Sequence, residues 1–191
     1  MKLATLVAFA AVAACPAYAA TLTVTAGCTG TFTNFTSTLF YSSTGITDPA
    51  GIATITSPNL DAGTNPGCGA SNFLSENTGQ SDTILFSQPV ANVGFVWGTP
   101  DAYNTFQIFS GTTLLGSYNG ANITSILAAG AYYTDFAASN ITSVVFSSSN
   151  CCFETEHFSY ELAAVPEPST FFPLVIAATW LAFWLRRRSL R

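Results

Sequence analysis

From Thr21 to Leu162 the apolar residues come in short alternating or β-branched runs, separated by clusters of Gly, Pro, Asn and Ser. No stretch in this region places them at the i, i+3, i+4 spacing of an amphipathic helix. Alternation at period two turns one face of a run toward a core and the other toward water. The runs predict strands at about Thr21–Thr25, Thr31–Tyr41, Gly51–Ser57, Thr83–Phe86, Ala91–Trp97, Thr105–Phe109, Thr113–Tyr118, Tyr132–Phe136, Thr142–Ser147 and Phe158–Leu162. Ser110-Gly111, between Phe109 and Leu114, is the clearest hairpin turn, while Ser57–Gly79 is rich in Asn, Gly and Pro and reads as loop. Short strands at this spacing predict an all-β domain, a two-sheet β-sandwich that is jelly-roll-like. Phe86, Phe95, Trp97, Phe106, Ile108, Val145 and Phe146 are the expected filling between the sheets.

The two ends break this pattern. Residues 1–19 have the form of a signal peptide: Lys2, an apolar stretch over Leu3–Ala14, and Ala17-Tyr18-Ala19 before the cut. Val12-Ala13-Ala14-Cys15 is a rival, a lipoprotein box with Cys15 as the lipidated residue. At the other end, Val165-Pro166-Glu167-Pro168 must be extended and exposed, because each proline fixes φ and removes a backbone donor. An uncharged apolar run from Phe171 to Leu185 follows, then Arg186, Arg187 and Arg188. As a helix that run is about 22 Å long, short for a membrane unless Pro168–Thr170 adds to it or the bilayer thins. The arginines would stop transfer on the cytoplasmic side. The chain therefore divides into a signal peptide (1–19), an exported β-sandwich domain (20–164) and a C-terminal segment (165–191) with a transmembrane helix over 170–185.

Motif, short span and basic end, in that order, closely resemble the PEP-CTERM sorting signal of bacterial exosortase substrates. The resemblance implies that Pro166, Glu167 and Pro168 are recognised by an exosortase-type processing enzyme. It further implies that the protein is membrane-anchored before sorting and then released to the cell surface or the extracellular biofilm matrix.

Charge narrows the function classes. The chain has 191 residues and five cations, Lys2 and the arginines at 186, 187, 188 and 191. Residues 20–164 thus hold no Lys or Arg but nine acids (Asp48, Asp61, Glu76, Asp82, Asp101, Asp135, Glu154, Glu156 and Glu161), a formal charge of −9 with His157 neutral. A nucleic-acid binder needs cations to displace counterions, and phosphate or sulfate sites normally use Arg or Lys. Extracellular polysaccharide, divalent cations and other surface proteins remain as partners.

Cys28, Cys68, Cys151 and Cys152 lie in the exported part, where disulfides persist, and four cysteines allow three pairings. Cys28 and Cys68 both sit in Gly-flanked loops, which favours their pairing and leaves Cys151–Cys152 as a vicinal pair. Two long-range bridges from that corner are the alternative. With no CxxC and one histidine, a zinc site is disfavoured.

The run Val93-Gly94-Phe95-Val96-Trp97-Gly98-Thr99-Pro100-Asp101-Ala102-Tyr103-Asn104 is similar to a Gly-x-x-Trp-Gly-Ser-x-Asp-x-Tyr-Asn core found in a family of exosortase-dependent surface proteins. Phe153-Glu154-Thr155-Glu156-His157 departs from that family's Phe-Glu-x-Asp-Asn at its last two residues. Trp97, Asp101, Tyr103 and Asn104 combine aromatic faces with hydroxyl-binding groups, the mixture that sugar sites use. They are the candidate glycan-binding residues. The plainer reading makes Trp97 core and lets Asp101 and Asn104 bond local backbone. No cofactor is expected. Calcium is the one metal with suitable oxygen ligands, at Asn59-x-Asp61-x-Gly63-x-Asn65 or among Asp101, Glu154 and Glu156.

No catalytic constellation forms around His157, the single histidine, so the protein is read as non-enzymatic. A glycan-active hydrolase is the enzymatic alternative, distinguished by product release from matrix polysaccharide. Ice binding is a third reading, resting on the Thr-x-Thr rows at Thr21–Thr25, Thr29–Thr33 and Thr54–Thr56, and distinguished by thermal hysteresis.

Overall fold

A computed structural model describes residues 20–28, 35–62, 68, 72–98, 100–124 and 132–164, together with 179–181, 185, 186 and 188. The expected signal peptide, the expected sorting motif Pro166-Glu167-Pro168, Arg187 and most of the expected span lie outside the described residues. Among the described residues no helix is long and apolar enough to cross a membrane.

The described region is all-β. Its strands are β1 (Thr21–Ala26), β2 (Ser37–Thr38), β3 (Phe40–Ser42), β4 (Gly45–Thr47), β5 (Ala53–Ile55), β6 (Leu60–Ala62), β7 (Asn72–Glu76), β8 (Ser81–Trp97), β9 (Asn104–Ser110), β10 (Thr113–Asn119), β11 (Tyr132–Ser148) and β12 (Phe153–Leu162), with one helical turn α1 (Gly120–Thr124). Ten strands form one antiparallel sheet along β10-β9-β11-β8-β12-β7-β6, with β1 on β11, β2 on β12 and β5 on β8. β3 and β4 make a separate two-stranded sheet. Two independent sandwich sheets were the expectation. The difference arises because two pairs of expected strands are each one long strand. Thr83–Phe86 and Ala91–Trp97 fuse into β8, and Tyr132–Phe136 and Thr142–Ser147 fuse into β11.

Both long strands bend in the middle, and the sequence supplies the cause. Pro89 has no N–H for the ladder, and the β8–β11 register breaks between Leu85↔Ser143 and Val90↔Ile141. Opposite it, Asn140 takes a left-handed φ of 65° in β11 and donates to Ser110 Oγ at 2.8 Å. The first half of β8 pairs with β5 and the end of β11, which also carries β9 and β10. The second half pairs with β12 and the start of β11, which carries β1. One sheet thereby becomes two facing layers.

The space between them is aromatic. Phe95, on the second half of β8, meets Phe146 of β11 and Phe106 of β9 edge-on at 5.0 and 5.1 Å, and lies 6.3 Å from Phe158 of β12. Phe86 closes the other end against Tyr160 at 5.3 Å. Val144 and Phe146 share the inner face, so Val145, expected in the core, points to the other side and is half-buried. The expected Ser57–Gly79 loop contains β6 and β7, because Leu74–Glu76 pair with Phe153–Thr155 far along the chain.

Residues 93–97 are buried on both faces, since a second cover lies outside β8. A Cβ on Gly94 would come within 2.6 Å of Asp135 Oδ1, 2.7 Å of Tyr133 Oη and 2.9 Å of Phe35, so any larger residue here would have to displace these side chains of the cover. Cys28 and Cys68 are joined, and so are Cys151 and Cys152.

Asp48 ties the cover to the core. Its carboxylate accepts from Ser37 Oγ (2.6 Å), Tyr160 Oη (2.6 Å) and the N–H groups of Ala50, Ile52 and Ala53 (3.1, 2.7 and 2.8 Å). Burial pushes its pKa up, but the Ser37, Tyr160 and backbone donors outweigh that and hold it at about 2. The folded value lies below the ordinary 3.8, so the stability that Asp48 contributes is complete above that value and is lost as pH falls toward about 2. Urea unfolding between about pH 5 and 2 should show this loss, and Asp48→Asn should be less stable at pH 5 with a shallower acid limb. A parallel acid limb in the variant would remove Asp48 from this role.

Candidate functional site

Three turns converge at one end of the layers. They are Asn77–Gln80 between β7 and β8, residues 100–103 before β9, and Ser149–Cys152 between β11 and β12. The middle turn is built on Asp101, whose carbonyl accepts from the N–H groups of Asn104 at 3.0 Å and Gly120 at 3.1 Å. Gly120 packs directly on the Pro100–Asp101 backbone, where a Cβ would collide. Asn104 is fully buried and braces the neighbouring turn: Nδ2 donates to Cys152 O at 3.2 Å, and Oδ1 accepts from Ser148 Oγ at 2.7 Å. The backbone closes the set, with Ser149 N–H on Tyr103 O at 3.1 Å and Gly79 N–H on Ser148 O at 2.9 Å.

Between these turns lies an open cleft of about 430 Å³, lined by Gln80, Ser81, Tyr103, Ser147, Ser148 and Ser149 among others. Its lining offers hydroxyls, an amide and one phenol. Tyr103 Oη donates to Asp101 Oδ2 at 2.7 Å, which fixes the ring. That bond to Asp101, more than burial, holds the phenol above its ordinary value of 10.0, with the Asp101 and Glu154 charges adding to it. A fixed aromatic ring beside uncharged polar groups can stack on a sugar and bond its hydroxyls.

The four residues singled out by sequence therefore divide. Trp97 is fully buried, with Phe153 at 4.5 Å and Phe106 at 5.7 Å, and no ligand can reach its faces. Asn104 supports the site from beneath. Asp101 and Tyr103 reach the surface. Gln80 and Ser147–Ser149 were missed, since uncharged residues in turns carry no distinguishing signal until the fold brings them together.

The other expected sites are dispersed. Asp61 accepts from the adjacent Ala62 N–H at 2.7 Å, while Gly63 and Asn65 lie outside the described residues. Glu156 turns away from Asp101, to the covered face, where it accepts from Cys68 N–H at 2.8 Å. Among the described residues no three His, Cys, Asp or Glu side chains group as a metal ion would require. His157 sits exposed on a bulge of β12 with φ 52°. Thr21, Thr23 and Thr25 share one face of β1 and Thr54 is on β5 in the opposite layer, while Thr29, Thr31 and Thr33 lie outside the described residues. Arg186 and Arg188 are exposed and helical, as are Trp180 and Leu181.

No family model, no curated protein and no solved structure matches this chain.

If Asp101 holds the Tyr103 phenol, Asp101→Asn should lower the pH at which that phenol ionises, read as tyrosinate absorbance against pH. An unchanged curve would show that the bond does not form in solution.

Proposed function

We propose that this chain is a non-enzymatic, exported surface or extracellular-matrix protein of a bacterium, sorted through its C-terminal segment and displaying a binding site for neutral polysaccharide. The observation that carries the sorting is the tail itself: Pro166-Glu167-Pro168, an uncharged apolar run and an arginine cluster, in that order. We read the two facing layers as a jelly-roll-like β-sandwich, supported by the exchange of β8 and β11 between them. Polysaccharide is the favoured partner because the cleft is polar yet lined by no cation, which suits an uncharged ligand rich in hydroxyls. The non-enzymatic reading rests on the sequence, whose single histidine, His157, has no Ser-His-Asp or Cys-His order around it.

Two experiments test this reading. Replacing Pro166 and Pro168 by alanine should leave the protein unprocessed in the membrane fraction, where the parent chain is processed and released; identical fractionation would remove the sorting role. Full-length oxidised protein should be retained by the producing cells' extracellular polysaccharide. Tyr103→Ala should weaken that retention about tenfold, roughly 1.4 kcal/mol. Full retention by a folded Tyr103→Ala variant would move the site elsewhere.

A further inference from the structure

The cleft is flanked from inside by two acids. Glu76 is the last residue of β7 and Asp82 the second of β8, with the Asn77–Gln80 turn between them. Glu76 lies opposite Phe153 and on the same face as Leu74, while Asp82 alternates with Ile84. Both carboxyls therefore point into the space between the layers, one from each layer, and they are 0% and 3% exposed.

Their surroundings differ. Asp82 accepts from the backbone N–H of Asn59 at 2.9 Å and from its Nδ2 at 3.0 Å. Among the described residues neither oxygen of Glu76 has a partner at hydrogen-bond geometry, and its own backbone N–H is the one donor that acts to lower its pKa. Its polar neighbour is the Asp82 carboxyl, which as an anion can only accept. The other titratable groups around the pair are the Tyr41 phenol from β3 and, beyond it, Glu156 from β12. Neither supplies a positive charge, and residues 20–164 contain no Lys or Arg. Two buried carboxylates side by side without a cation would repel strongly, and an unpaired buried charge is costly. A single proton removes both problems, because a protonated Glu76 gains the one donor this pair lacks.

We propose that Glu76 and Asp82 share one proton between the two layers, making the pair a pH-responsive lock on the β7–β8 turn at the edge of the cleft. Glu76 is the acid that donates and Asp82 the carboxylate that accepts. Loss of the proton to alkaline solvent leaves two facing anions, which push the β7 end and the β8 start apart. Gly79 and Gln80 line the cleft and move with that turn. Burial first, and then the Asp82 charge, raise the Glu76 pKa well above its ordinary 4.5; burial raises that of Asp82 as well. With the folded values above the unfolded ones, the folded state holds the extra proton. Stability is then greatest in the ordinary carboxyl range and falls as pH rises toward the folded value. Inside that window the unfolding constant rises up to about tenfold per pH unit.

Infrared difference spectroscopy on the full chain at neutral pH tests the lock. The parent protein should show the carbonyl stretch of a protonated carboxylic acid, and Glu76→Gln should lack it. Thermal unfolding from about pH 5 to 9 should show the parent losing stability relative to Glu76→Gln as pH rises. Absence of the protonated carboxyl band in the parent protein overturns the proposal even if the variant does not fold. So does a stabilisation by added calcium at neutral pH that Glu76→Gln abolishes, since the pair would then be a metal site. The lock does not depend on polysaccharide binding, and the two can fail separately.

Discussion

A domain with nine carboxylates and no Lys or Arg must satisfy its buried acids without ion pairs, and this constraint shapes the structure. Neutral donors do the work. Asp48 collects two hydroxyls and three backbone N–H groups, Asp82 is held by Asn59, Glu156 accepts from Cys68 N–H, and Asp101 from Tyr103. Hydrogen bonds to an ionised group are the strong ones, so each carboxylate acts as a crosslink. Three of them join segments far apart in sequence: Ser37 and Tyr160 through Asp48, Asn59 to Asp82, and Cys68 to Glu156. Burial and the Asp48 bond push the Tyr160 phenol well upward, while burial and then Asp135 push that of Tyr133 to about 12.

Those crosslinks hold a cover over a sheet that has already folded on itself. The layers are fastened by aromatic side chains that no single strand supplies. Phe95 alone touches rings from β9, β11 and β12. Aromatic pairs at these edge-on geometries add about 0.5–1.5 kcal/mol beyond the area they bury. The Cys28–Cys68 bond, 40 residues apart, fastens the cover a second time by restricting the unfolded chain.

The cleft follows from the same architecture. Turns at one end of a rigid scaffold carry side chains that packing does not need. Here Asn104 and Ser148 hold two turns together, and Tyr103, Gln80 and Ser149 line the opening while also bonding within the turns, to Asp101, Asn77 N–H and Tyr103 O. The acid pair lies just inside, so the chemistry of the interior and the shape of the cleft share the β7–β8 turn.

The alternation in Thr105–Phe109 and Thr113–Tyr118, with Ser110-Gly111 between them, gave a hairpin readable from the chain, and β9 and β10 form it. That reading succeeds because hairpin contacts are local. The Asp48-Pro49-Ala50-Gly51 turn, which the sequence reading did not pick out, is also local, with Gly51 N–H on Asp48 O at 3.0 Å, but nothing local connects it to Tyr160. Trp97 looked available beside a polar turn and is core, because both faces of 93–97 are covered by segments distant in sequence. β7 was hidden in a Gly- and Asn-rich stretch because its partner is β12. The sequence by itself determined the all-β class, the absence of cations from residues 20–164 and the apolar segments at both ends, since each is a property of composition or of consecutive residues. Tertiary structure alone decided that one sheet makes both layers, which aromatic rings are buried, and which carboxylate meets which donor, because those depend on pairings as far as 126 residues apart.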